Sequence, residues 1–127
     1  MQMTGDRILV IDEAGFSCVC SAILGTEGFV VETIVNSHRN AAPLNFQEFS
    51  LVITSYPFDA SFIDNINKMS KPVIILTDHI SRELICILEG FDKSYCMIKP
   101  IDYCKFKQLV KQLMDGELSS HGGYSIV

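Results

Sequence analysis

Apolar residues in this chain gather into short continuous runs bounded by turn residues. Arg7 to Ile11 (R-I-L-V-I), Ser50 to Ser55 (S-L-V-I-T-S), Pro72 to Leu76 (P-V-I-I-L) and Tyr95 to Ile98 (Y-C-M-I) are each too short for a helix and rich in β-branched residues. Runs that do not alternate with polar residues suit strands buried on both faces of a parallel sheet. Phe29 to Val35 reads as a further strand, the second in chain order. Its Glu32 and Thr33 indicate a sheet edge with one wetter side. The run Leu51 to Ser55 stops abruptly near Pro57, and its wholly apolar start marks it as the central strand.

Between these runs the period changes to that of a helix. Phe16, Val19, Cys20, Ile23 and Leu24 form one stripe over Phe16 to Glu27, with Gly28 as its C′ residue. Asp59 to Met69 has Phe62, Ile63, Ile66 and Met69 on one face. Arg82 to Glu89 has Ser81 as N-cap and Gly90 after its end. The last helix, capped by Asp102, runs to about Met114 with Phe106, Leu109, Val110 and Leu113 inward. Pro43 interrupts the stretch from Asn36 to Phe49, which has room for one short helix. Strands thus alternate with helices five times, which predicts a doubly wound α/β fold with right-handed crossovers. The predicted domain covers residues 1–114. Residues 115–127, with Gly116, Ser119, Ser120, Gly122 and Gly123, read as a flexible C-terminal tail.

Composition narrows the function. The chain has 127 residues, 48% hydrophobic and 20% charged, with a net charge of −5, enough apolar material for one folded domain. No basic stripe marks a nucleic-acid surface. No run is long enough to span a bilayer and the N-terminus lacks the pattern of a signal peptide, so the expected location is cytoplasmic, away from membranes. Cys18, Cys20, Cys86, Cys96 and Cys104 are odd in number and not spaced as a disulfide framework or zinc site, and read as reduced thiols serving as small apolar residues. No phosphate-cradling glycine loop occurs. His38, His79 and His121 are scattered and suggest no catalytic role.

Working sites of doubly wound folds lie outside the carboxyl ends of the strands. The residues there are Asp12 and Glu13 after the first strand, Ser55 after the third, Thr77 after the fourth and Lys99 after the fifth. With I-L-V-I-D-E at 8–13, L-V-I-T-S at 51–55, P-V-I-I-L-T at 72–77 and M-I-K-P at 97–100, the chain resembles a response-regulator receiver domain of the CheY-like, flavodoxin-like type. The resemblance spans nearly everything up to Met114. It implies a three-layer αβα fold whose five parallel strands are ordered 2-1-3-4-5.

In that family the two acids after the first strand help to hold Mg²⁺, and an Asp after the third accepts a phosphoryl group from a histidine kinase. A hydroxyl and a Lys then contact the phosphoryl oxygens. Carried over by position, Asp12 and Glu13 form the acidic pocket, and Thr77 and Lys99 are the phosphoryl-contact positions. Lys99–Pro100 corresponds to the family's cis peptide. Cys96 stands at the switch position where an aromatic is common. The acceptor position is degenerate, because it holds Ser55. A serine hydroxyl is a poor nucleophile without a base and is no anionic metal ligand.

Two further departures agree. The segment after the third strand is shortened, reading Tyr56-Pro57-Phe58-Asp59-Ala60-Ser61, and Asp78 adds negative charge beside Thr77. Each residue also has a structural reading: Lys99 as an ion-pair partner of Asp12, Thr77 as a turn residue, Ser55 as an inert replacement.

The expected function is therefore a pseudo-receiver of a two-component phosphorelay system. It would not be an enzyme, and would act independently of phosphorylation as a protein-interaction module. The resemblance places its contact face on the fourth helix, fifth strand and fifth helix, residues 81–114, with Arg82, Glu83, Lys93, Lys105 and Lys107 exposed and homodimerisation an option. Mg²⁺ binding, through Asp12 and Glu13 alone, is expected to be weak or lost. The alternative is a conventional switch phosphorylated at another carboxylate such as Asp59. A third reading, an enzyme using Ser55, lacks any histidine near it in sequence.

Overall fold

The computed structural model describes residues 7–12, 14–35, 49–56, 72–90, 93–115 and 123–126. In chain order these form β1 (Arg7–Asp12), α1 (Ala14–Gly25), β2 (Val30–Val35), β3 (Leu51–Ser55), β4 (Val73–Thr77), α2 (Arg82–Glu89), β5 (Lys93–Ile98), α3 (Tyr103–Met114) and β6 (Gly123–Ile126). The helices expected near Pro43 and over Asp59 to Met69 lie outside the described residues. So does Glu13.

All six strands are parallel, in the order β2-β1-β3-β4-β5-β6. The order expected for the first five is met, and β2 is an edge, as its Glu32 and Thr33 suggested. The sixth strand was not expected. Within the stretch read as a flexible tail, Gly123–Ile126 pairs with Lys93–Cys96, while 116–122 lie outside the described residues. Gly-Tyr-Ser-Ile carries no apolar run, and a ladder made by main-chain groups leaves little trace in side-chain pattern.

The continuous apolar runs are explained by burial on both faces. Every residue of β3 and β4 is buried. Ile8, Val10, Leu51, Ile53, Ile74, Leu76, Tyr95 and Met97 point to one face, where Cys20 and Leu24 of α1 and Phe106, Leu109 and Val110 of α3 cover them. Leu9, Ile11, Val52, Val73, Ile75 and Cys96 point to the other, against Leu84 and Leu88 of α2 and against Phe49. Each fully buried side chain of this size contributes roughly 1.5–3 kcal/mol by leaving water.

Caps end the helices as the residue types predict. The Ser81 side chain accepts from the N–H of Leu84 at 3.1 Å, and Asp102 Oδ1 accepts from the N–H of Cys104 at 3.0 Å and of Lys105 at 3.3 Å. Gly28 closes the turn after α1 at φ +93°, a conformation that favours glycine, while the N–H of Phe29 reaches back to the carbonyl of Leu24. Val19 departs from expectation, being 40% exposed. The buried stripe of α1 runs through Ser17, Cys20 and Leu24, which leaves Val19 at its margin.

Candidate functional site

Strands β1, β3, β4 and β5 end in a staggered line. Ile11 pairs with Thr54, Thr54 with Ile75 and Ile75 with Cys96; one step further, Ser55 pairs with Leu76 and Leu76 with Met97. Asp12, the last residue of β1, lies one step beyond the Ile11–Thr54 pair, as Ser55 does on the neighbouring strand. The register therefore brings the backbones of Asp12 and Ser55 side by side at the carboxyl end of the sheet.

The strand ends are tied together by short bonds. Thr54 Oγ1 donates to the carbonyl of Ile11 at 2.8 Å, joining β3 to β1. The N–H of Tyr56 donates to the carbonyl of Leu76 at 2.7 Å, and the N–H of Lys99 to that of Thr77 at 2.7 Å. These bonds extend the ladder past the last paired residues and fix where Ser55, Thr77 and Lys99 emerge. The Lys99–Pro100 peptide is cis.

Ser55 is 9% exposed, on the face shared by Leu76 and Met97. Thr77 is buried, and its hydroxyl is turned into the bend that follows β4. Oγ1 donates to the carbonyl of His79 at 2.8 Å and accepts, at 3.4 Å, from the N–H of the same residue. Its single proton is thus committed to the backbone. Lys99 is half-buried, and among the described residues its ammonium joins no ion pair. Asp78, next to Thr77 in sequence, is exposed. No group of three or more His, Cys, Asp or Glu among the described residues could hold a metal ion. The Ser55 hydroxyl is neutral and brings no anionic oxygen of the kind Mg²⁺ favours to the end of β3.

Cys96 is wholly buried against α2, and burial pushes its thiol pKa up. Tyr95 faces the opposite side of the sheet, where burial likewise raises its phenol pKa. The strand thus presents a small, buried thiol to α2. All five cysteines are free thiols; Cys20 and Cys96 are buried, and Cys18, Cys86 and Cys104 are exposed.

Sequence reasoning gave Tyr56 only a loop position. Its ring packs with Ile80 and Ile87 against the α2 side of the core, and its hydroxyl donates to Glu83 Oε1 at 3.3 Å. It links the residue after Ser55 directly to α2. A lone aromatic beside a proline gives no periodic signal from which this could be read.

The helix–strand–helix face predicted at 81–114 is formed by α2, β5 and α3. Arg82, Glu83 and Lys105 are exposed there and Lys93 is half-buried. Lys107 belongs elsewhere: its Nζ lies 3.5 Å from Glu27 Oε2, on the side facing the turn after α1. The free edge of β5 is taken up by β6, which also runs beside α2.

No protein-family model matches the chain, and no curated protein matches it in sequence. Solved structures match it in fold. A CheY-like response regulator receiver domain protein from Methanospirillum hungatei superposes with a TM-score of 0.66 at 18% identity, over 91% of this chain and 98% of that one. The beryllofluoride-activated NtrC4 receiver domain dimer gives 0.65 at 23% identity, over 87% and 97%. The response regulator TrrA of Thermotoga maritima, in complex with Mg²⁺ and BeF, gives 0.60 at 20% identity, over 85% and 98%. The chain has the flavodoxin-like fold of response-regulator receiver domains, with one strand more than the five expected.

Proposed function

We propose that this chain is a pseudo-receiver, a phosphorylation-independent signalling module that works by docking a protein partner. The observation that carries this reading is Ser55. It occupies the buried end of β3, beside Asp12 and in line with β4, where the fold's chemistry calls for a nucleophilic carboxylate. A hydroxyl there supplies neither the acceptor oxygen nor the metal-binding charge. Thr77 supports the same reading, since its proton is spent on the His79 carbonyl rather than held ready for a phosphoryl oxygen. Cys96 supports it too, because a buried thiol offers α2 no second rotamer of comparable size. A receiver without phosphoryl transfer lacks the ligand that would distinguish two states, and so holds one surface constantly. The surface assigned to partners is that of α2 and α3 on either side of β5, whose edge is lined by β6, with Arg82, Glu83 and Lys105 as its exposed charges.

Incubation with acetyl phosphate and Mg²⁺, read by intact mass, tests the proposal. The expected result is no added phosphoryl group. A labile phosphoryl adduct that requires the metal would overturn it, and its position would say whether Asp59 or another carboxylate is the acceptor. Ser55→Asp, treated in the same way, is expected to become labelled. That outcome would place the loss at one residue, whereas an unlabelled variant would mean that the surrounding contacts have been lost as well.

A further inference from the structure

Strand β6 reaches the sheet by an unusual route. The chain steps from β1 to β2 in one direction with α1 on the Val10–Ile53 face. It steps from β4 to β5 in the opposite direction with α2 on the opposite face. Opposite direction and opposite face together give these two crossovers the same hand. From β5 to β6 the direction is again that of β4 to β5, but α3 lies on the face of α1. The β5–α3–β6 crossover therefore has the other hand. Parallel crossovers are right-handed in about 98% of cases, because a twisted strand feeding a helix packs back onto its sheet only that way. The first two obey that rule and the third breaks it.

β6 is short and lies at the sheet margin beside α2. It pairs over four residues, and Ser125 and Ile126 are exposed, Ile126 by 48%. Its pairing with β5 is made by ladder bonds between main-chain groups, which any copy of the same segment supplies equally well. The strand it covers is different in kind, because Ser94, Tyr95, Cys96 and Met97 are all buried and would otherwise present an open edge at the margin of the sheet.

We propose that Gly123–Ile126 is an exchangeable strand whose partner is a second copy of this chain. Each copy seats its β6 on the β5 of the other, in the parallel register Ser94–Tyr124 and Tyr95–Ser125, to form a two-fold dimer. Delivered from a second copy, the strand meets the same edge without a crossover of the disfavoured hand. The proposal stands apart from the signalling reading, as it needs no property of Ser55 or Thr77.

Sedimentation velocity of the full chain, from micromolar to millimolar concentration, tests it. The expected result is a monomer–dimer equilibrium that the double variant Tyr124→Pro, Ser125→Pro abolishes while circular dichroism shows the fold retained. Two adjacent prolines are needed because alternate N–H groups of a strand face its neighbour, and one of the pair must fall on the ladder side. A chain that stays monomeric throughout would overturn the proposal. So would a dimer that persists or tightens in the double variant, which would mean that bare β5 edges join directly. If the double variant does not fold, a peptide of residues 122–127 in excess over the unaltered chain decides: dissociation of the dimer is expected, and a dimer indifferent to the peptide overturns the exchange.

Discussion

Strand β3 is buried along its whole length, from Leu51 to Ser55, whereas β6 leaves Ser125 and Ile126 open to solvent. Both are short parallel strands in one sheet, but they are held by different forces. β3 has a strand on each side and helices above and below, so its attachment is mainly hydrophobic, with ladder bonds that water cannot reach. β6 has one neighbouring strand, β5, and its last two residues are open to solvent. The contrast teaches how each strand is placed. At the centre, packing above and below fixes where the Ser55 hydroxyl sits, at the buried end of β3. At the margin, β6 joins the sheet through backbone pairing with β5.

The sharpest way to break this contrast is to truncate one isoleucine in each strand. Ile53 is wholly buried, and Ile53→Ala is expected to lower the unfolding free energy by about 2–5 kcal/mol through lost transfer energy and the cavity left behind. Ile126 is 48% exposed, and Ile126→Ala should cost under about 0.5 kcal/mol. Urea denaturation of the two variants beside the parent measures both. Equal losses would mean that β6 is packed as tightly as the centre.

The same difference explains what could be read from the chain beforehand. Burial on both faces leaves an apolar run that survives any local irregularity, and it marked β1, β3 and β4 within a residue or two. Asp102 and Ser81 were legible as caps because their side chains bond the helix ends next to them. β5 was read from Tyr95, two residues late, because Lys93 and Ser94 look like loop. Ser94 is nevertheless buried, its hydroxyl donating to the carbonyl of Leu88 at 3.0 Å. β6 and the Tyr56–Glu83 link were invisible because each depends on a partner far away in sequence. At the candidate site, the order of residue types was legible. That the Thr77 hydroxyl turns back onto His79 was not, because a side-chain rotamer leaves no mark on the sequence.

Thiol reactivity separates buried from open positions by a second route. Ellman's reagent is expected to titrate Cys18, Cys86 and Cys104 in the folded chain, and Cys20 and Cys96 only after denaturant is added. Burial raises the Cys96 pKa, so mildly alkaline buffer should not bring it into the fast phase. Rapid reaction of Cys96 would mean that the strand β5 opens from α2 in the native state. Smaller again is the effect of the α3 cap. Asp102→Ala, which strips the N–H groups of Cys104 and Lys105 of their acceptor, should cost about 1 kcal/mol in the same urea assay, with Asp102→Asn retaining most of it.

The smallest effect is expected where α3 meets the turn after α1. Lys111 Nζ lies 3.2 Å from Glu27 Oε1, and with a lesser contribution from Lys107 it holds the Glu27 carboxyl below its usual value of 4.5. A carboxyl with a depressed folded-state pKa favours the folded chain only while it is ionised. Its contribution is therefore complete above about 4.5 and disappears as pH falls through the lower folded-state value. Glu27→Gln should lower the thermal midpoint slightly at neutral pH, and the gap from the parent should close on acidification below 4.5. Added salt should narrow the gap at neutral pH, because the pair is partly open to water. A gap that stays constant across this range of pH and salt would mean that Glu27 acts through packing, and that the α1–α3 side is held, like the centre of the sheet, by apolar contact alone.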